Sequence, residues 1–178
     1  MTGTGRRGVM TAVGMAALPV AAGAQAQGGG PLAADVPLVL PRTEFVWEAV
    51  VDLAPTMMLG EGPMGERRMV PITGGTFTGP RIRGRVLPGG ADRQLIRKDG
   101  VRRLDALYEM QAEDGAVITV HNKVVVAPVQ GAEDYRHSTL EITAPEGPHA
   151  WINRLAFVGT LHSLRPRMAV LVRVYSLV

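Results

Sequence analysis

The chain has 178 residues, no cysteine and a formal net charge of +3 from 19 basic and 16 acidic side chains. That length supports one domain with its own core. A chain without cysteine has no disulfide framework, thiol nucleophile, iron–sulfur ligation or lipidation cysteine, and near-balanced charge excludes the broad basic field with which nucleic-acid binders displace counterions.

The first 26 residues read as a cleaved export signal. Paired Arg6 and Arg7 precede one free position and two apolar residues, a weakly apolar run reaches Ala22, and Ala24-Gln25-Ala26 offers the small residues that a signal peptidase accepts. The pattern is of the twin-arginine type, with cleavage after Ala26 and a periplasmic or secreted product. Its apolar run is too short for a membrane span. Losing the two arginines lowers the net charge to +1. Residues 27–42, rich in glycine and proline, read as a flexible lead-in, and 43–178 as a single β domain.

From Glu44 the texture becomes extended. Phe45, Trp47, Ala49, Val51 and Leu53 alternate with polar neighbours, which predicts a strand with one buried face. A glycine-rich loop is expected from Pro55 to Gly65, followed by two strands in Arg68 to Leu95. There Arg81, Arg83 and Arg85 alternate with Ile82, Gly84 and Val86, and the arginines are read as an outer, solvated stripe. Asp99-Gly100 and Asp114-Gly115 are hairpin turns, because such pairs tolerate positive φ. Between them Leu104, Ala106, Tyr108 and Met110 form the apolar face of a strand, and Ala116 to Val126 forms another. Tyr135 to Thr143 is expected as an edge or short strand. A turn and a strand follow in "APEGPHAWINRLAFVGT", and Met168 to Val178 closes the chain. Eight or nine short strands without an amphipathic helix predict an all-β meander, closed or nearly closed into a small antiparallel barrel, since closure removes exposed edges. A membrane barrel is disfavoured: three Phe, two Trp and three Tyr do not furnish aromatic girdles.

The segments "GERRMVPITGGTFTGPRIRGRVLPGGAD", "DGVRRLDALY", "DGAVITVHN", "HAWINRLAFVGT" and the terminal "VRVYSLV" resemble the domain of unknown function 3237 family of small bacterial β-barrel proteins. The resemblance covers nearly the whole mature chain and implies a barrel, with no settled activity. Two positions depart from the family pattern. Arg93 stands where tryptophan usually follows the aspartate of "GGAD", and Thr78 where glutamate often follows "GTF".

The candidate site combines orientation with volume. Asp92, after Pro88-Gly89-Gly90-Ala91, is the carboxylate candidate for catalysis; Asn122 and Asn153 offer neutral hydrogen bonds, and Trp151 a stacking plane. Gly84 is expected to thin the interior wall of the same cavity, although glycines there also suit bulges and barrel corners. His121, His137, His149 and His162 lack close ligand spacing, so no metal or cofactor is assigned. No G-x-S-x-G elbow occurs. The function expected is binding of a small organic molecule. The alternatives are a lyase, isomerase or cyclase using a carboxylate acid–base, and a purely structural barrel; self-association into a homo-oligomer stays open.

Overall fold

Alternation of apolar and polar side chains, rather than any helical period, organises this chain, and each run pairs with the next in antiparallel fashion. The computed structural model describes Met1 and residues 35–178. Apart from Met1, the predicted export signal and its cleavage point lie outside the described residues, as does the lead-in as far as residue 34. Residues 37–42 have no regular structure and are exposed.

Ten strands form: β1 (Thr43–Leu53), β2 (Met57–Gly62), β3 (Gly65–Thr78), β4 (Arg83–Val86), β5 (Ala91–Arg97), β6 (Arg102–Ala112), β7 (Val117–Ala127), β8 (Tyr135–Thr143), β9 (Phe157–Ser163) and β10 (Ala169–Leu177). β1 pairs with both β10 and β3, which closes the sheet. β4 and β5 lie end to end between β3 and β6, interrupted at Pro88-Gly89-Gly90, so they share one stave of an eight-stave barrel. β2 pairs only with β3 and lies outside the ring. The expected closed all-β barrel is therefore the fold.

Four local readings need correction. Three strands, β3, β4 and β5, run through Arg68 to Leu95 where two were expected, because Pro88-Gly89-Gly90 divides one stave into β4 and β5. β2 occupies the segment predicted as a loop from Pro55 to Gly65; the hairpin partner Gly65–Met69 overrides its glycine content. β8 is a full stave paired on both sides, not an edge, because Ser138, Leu140 and Ile142 alternate inward. Phe45 is exposed instead of buried, since a register shift between Phe45 and Trp47 turns Val46 and Trp47 into the core. In addition, Ala150–Arg154 forms a short 3-10 helix before β9.

The interior is packed around Trp47, Met110, Ile118, Val120, Ile152 and Val174, each fully buried. Burying one such side chain stabilises the fold by roughly 1.5–3 kcal/mol. Trp47 meets Phe77 edge-on at 6.1 Å between ring centroids. Outward positions of β6 and β7 carry Arg103, Asp105, Glu109, His121 and Lys123, a face suited to water and not to hydrocarbon. Among the described residues no helix is long and apolar enough to cross a membrane.

Both predicted hairpin turns form, each with three loop residues and glycine in the left-handed region: Gly100 has φ +84° and Gly115 φ +90°. Asp99 Oδ1 accepts from Val101 N–H and Asp114 Oδ1 from Ala116 N–H, each at 3.1 Å. A β-branched residue at positive φ meets its own backbone, so Gly100→Val and Gly115→Val are each expected to cost roughly 1–2 kcal/mol. Midpoints of chemical denaturation equal to the parent's would contradict these turns.

Candidate functional site

Antiparallel register places inward residues of neighbouring strands in lateral rows. One row runs Val70, Asp92, Ala106, Asn122 and Leu140 across β3, β5, β6, β7 and β8. Asp92 and Asn122 thus flank Ala106, about 10 Å apart at the backbone, and the single methyl of Ala106 leaves space between them. Tyr108 lies two residues along β6 on the same face, and Gln94 two residues along β5. These side chains, with Leu104 and Val124, border one interior cavity of about 60 Å³. Val51, Ile72, Leu161 and Val172 make much of the remaining, apolar wall.

The polar groups of this cavity are unequally satisfied. Asp92 Oδ2 accepts from Gln94 Nε2 at 2.6 Å, and Oδ1 from the Asp105 backbone N–H at 3.0 Å. Burial outweighs both bonds and holds the Asp92 carboxyl above its ordinary range. Burial also pushes the Tyr108 hydroxyl upward, keeping it a neutral donor. Among the described residues neither the Tyr108 hydroxyl nor Asn122 Oδ1 has a hydrogen-bond partner, although both residues are only 2% exposed. A buried polar atom left unmatched costs about 1–3 kcal/mol, so this pair marks a place where a guest could restore bonds. A carboxyl poised for proton transfer, a hydroxyl donor and an amide acceptor together suit acid–base chemistry at a small organic group.

The sequence-based candidates divide. Asp92 and Asn122 share the cavity; Gly84, Trp151 and Asn153 do not border it. Gly84 faces inward between Phe77 and Ala112, but a Cβ there would lie 2.0 Å from the Gln111 carbonyl oxygen. Its glycine therefore permits close strand approach at a barrel corner and vacates no room. Asn153 is fully engaged in structure: Oδ1 accepts from Ala144 N–H at 2.8 Å, and Nδ2 donates to Ala144 O at 2.9 Å. Trp151 lies beneath the Arg81 guanidinium, 3.9 Å from ring centroid to Cζ. Both belong to the 3-10 helix, whose Ile152 is buried in the core and whose preceding residue His149 bonds through Nε2 to Asp114 Oδ2 at 2.9 Å, at the Asp114-Gly115 end of the barrel.

Arg83 and Arg85 face outward as expected; Arg85 donates to Gln111 Oε1. Among the described residues no group of histidines and carboxylates has a metal-binding arrangement. Sequence reasoning missed Gln94 and Tyr108. Asp92-x-Gln94 at strand spacing was the available signal for the first, and a tyrosine on the same strand face as Ala106 for the second.

Residues 41–177 match the family described as Protein of unknown function (DUF3237). A UPF0311 protein of Rhodopseudomonas palustris is 40% identical over 81 residues, 46% of this chain and 53% of that protein, so the chain spans about half the length of this curated relative. A β-barrel-like protein of Acinetobacter baumannii, known from its crystal structure, superposes with a TM-score of 0.73 at 29% identity, covering 80% of this chain and 99% of its own. The hydroalkoxylation enzyme phnH of Penicillium herquei is 28% identical over 120 residues, 67% of this chain and 74% of that enzyme.

A carboxyl whose folded pKa is raised binds its proton more tightly in the folded chain than in the unfolded one. Its contribution to stability is then greatest at low pH and is lost as pH rises from the unfolded value through the folded one. Asp92→Asn is nearly isosteric, keeps an acceptor for the Asp105 N–H and cannot ionise. It is expected to be more stable than the parent at neutral pH, with the gap closing as pH falls to the ordinary carboxylate range. Urea midpoints measured across pH check this; a gap that does not change with pH contradicts it.

Proposed function

The chain belongs to the DUF3237 family, and on that premise we propose that its barrel binds a small organic molecule in the Asp92 cavity and adds the O–H of a substrate hydroxyl across a carbon–carbon double bond of that molecule, or reverses the addition. The observation that carries this reading is the half-buried Asp92 carboxyl sharing one cavity with the unmatched Tyr108 hydroxyl and Asn122 carbonyl. The name of the hydroalkoxylation enzyme supports the reaction class by similarity.

In the addition, neutral Asp92 gives its proton to one alkene carbon while the substrate hydroxyl oxygen bonds to the other. The hydroxyl proton then passes to the Asp92 carboxylate, which restores the acid with no net redox change. Asn122 Oδ1 accepts from the attacking hydroxyl and orients its lone pair. The Tyr108 O–H donates to an oxygen conjugated with the alkene and stabilises charge that develops there. A volume of about 60 Å³ is about that of two water molecules in the liquid, so only the reacting atoms enter and the remainder of the substrate extends toward the barrel mouth.

The test begins with mass spectrometry of compounds that copurify from the native host, followed by incubation of that pool with protein in deuterium oxide. The parent is expected to introduce one carbon-bound deuterium, and Asp92→Asn to slow product formation at least about a hundredfold while still retaining the compound. Equal turnover by the variant would remove Asp92 from the chemistry; retention without any deuterium in the parent would leave a binding protein.

We further propose that the chain is exported through the twin-arginine route, on the strength of Arg6 and Arg7 and the Ala24-Gln25-Ala26 site. Replacing both arginines by lysine is expected to retain precursor in the cytoplasm, whereas the parent yields mature protein beginning at Gln27. An unchanged periplasmic yield from the double variant would contradict this route.

A further inference from the structure

Two further lateral rows run from the cavity toward the β5–β6 turn. Arg68, Gln94, Leu104, Val124 and Ser138 form the nearer row, and Glu66, Ile96, Arg102, Val126 and Arg136 the outer one. Each of these residues has the inward parity of Asp92 and Asn122 along its own strand. Arg68 is neutralised by Glu66 through its Nε. Arg102 and Arg136 are not neutralised individually: Asp134 Oδ2 accepts from both, at 3.4 and 3.2 Å. Two guanidinium groups therefore share one carboxylate oxygen, and most of their five N–H donors apiece have no partner among the described residues. Their side chains are 42% and 35% exposed, so the mouth combines open access with a local surplus of one positive charge.

From these residues we infer that the barrel selects substrates carrying a carboxylate at the end opposite the reacting group, held at the mouth by Arg102 and Arg136. This rests on the reading that the Asp92 cavity receives the reacting atoms. Arg102 is four residues from Ala106 along β6, about 13 Å. On the way from Ala106 toward Arg102 the cavity is bordered by Leu104 and Val124, with Leu161 and Val170 on its apolar wall. A slender aliphatic or extended conjugated chain spans that length; its inner end reaches Asp92, and its carboxylate accepts paired guanidinium N–H bonds of the fork type. Asp134 competes for the same donors and limits affinity.

Undecylenate and undecylenyl alcohol test this directly, since both carry a terminal alkene on an unbranched chain and differ only at the outer end. Binding is read from NMR shifts of the Leu104, Val124 and Leu161 methyl groups, with folding of every variant verified by circular dichroism. The parent is expected to bind undecylenate at least about tenfold more tightly than the alcohol. Arg102→Gln with Arg136→Gln removes that preference and leaves alcohol binding unchanged, whereas Asp134→Asn frees both guanidinium groups and tightens undecylenate alone. Equal affinity of the parent for both probes, or a preference that survives the double arginine variant, overturns the inference and leaves the cavity reading intact. Methyl shifts unmoved by either probe likewise overturn the inference.

Discussion

The lateral register that carries Asp92, Ala106 and Asn122 across β5, β6 and β7 is the constraint on which the remaining structure depends. Side chains alternate along each strand, so a slip of one residue in any of the three would move its contribution from the interior to solvent. The three-residue hairpins at Asp99-Gly100 and Asp114-Gly115 set that register at both ends of β6. At one end they leave room at a polar mouth; at the other, Ile152 joins the packed core near the Asp114-Gly115 turn. Asn153 ties its helix to Ala144 through two backbone bonds. Closure of β1 on β3 and β10 then prevents the sheet from relaxing the row.

Within that frame, small residues do two different things. Gly84 stands where backbone atoms of β6 come within 2.0 Å of a would-be Cβ, and its role is to let staves approach. Ala106 stands where its two lateral neighbours are polar and on adjacent staves, and its methyl leaves the interior incompletely filled. The polar atoms around that space carry a free-energy cost in the protein alone. Asp92 is desolvated despite two bonds, and the Tyr108 hydroxyl and Asn122 carbonyl are unmatched. Fully apolar packing would avoid that cost; Trp47 Nε1, Ser138 Oγ and His149 Nδ1 are also buried without a partner among the described residues, so what sets Asp92, Tyr108 and Asn122 apart is the cavity they share.

Much of the fold is legible in the sequence because its signals are local. Alternation in Leu104, Ala106, Tyr108 and Met110, and the two Asp-Gly pairs, are read within a few residues of one another. Asp92 and Asn122 are legible as residue types worth watching, but their convergence is not, since it depends on pairing between β5, β6 and β7. The Phe45 to Trp47 bulge adds one residue and exchanges faces, which no strict period of two anticipates. β8 is mistaken for an edge because its outward residues are polar, though Ser138, Leu140 and Ile142 point in. The placement of Gly84 fails for a related reason: a glycine between two inward apolar residues looks the same in sequence whether it faces a cavity or a neighbouring backbone. Tyr108 escapes notice because a tyrosine on an apolar face usually reads as core, and only the structure shows its hydroxyl unmatched.

The barrel interior is under-filled at the row containing Ala106, and this stands or falls on the denaturation midpoint of Ala106→Val. Two added methyl groups on a residue that favours strands would occupy the cavity of about 60 Å³. An under-filled row gives the variant a stability equal to or above the parent's, by up to about 1 kcal/mol from apolar burial. A loss of about 1–3 kcal/mol, the usual penalty for overpacking a filled core, would contradict it.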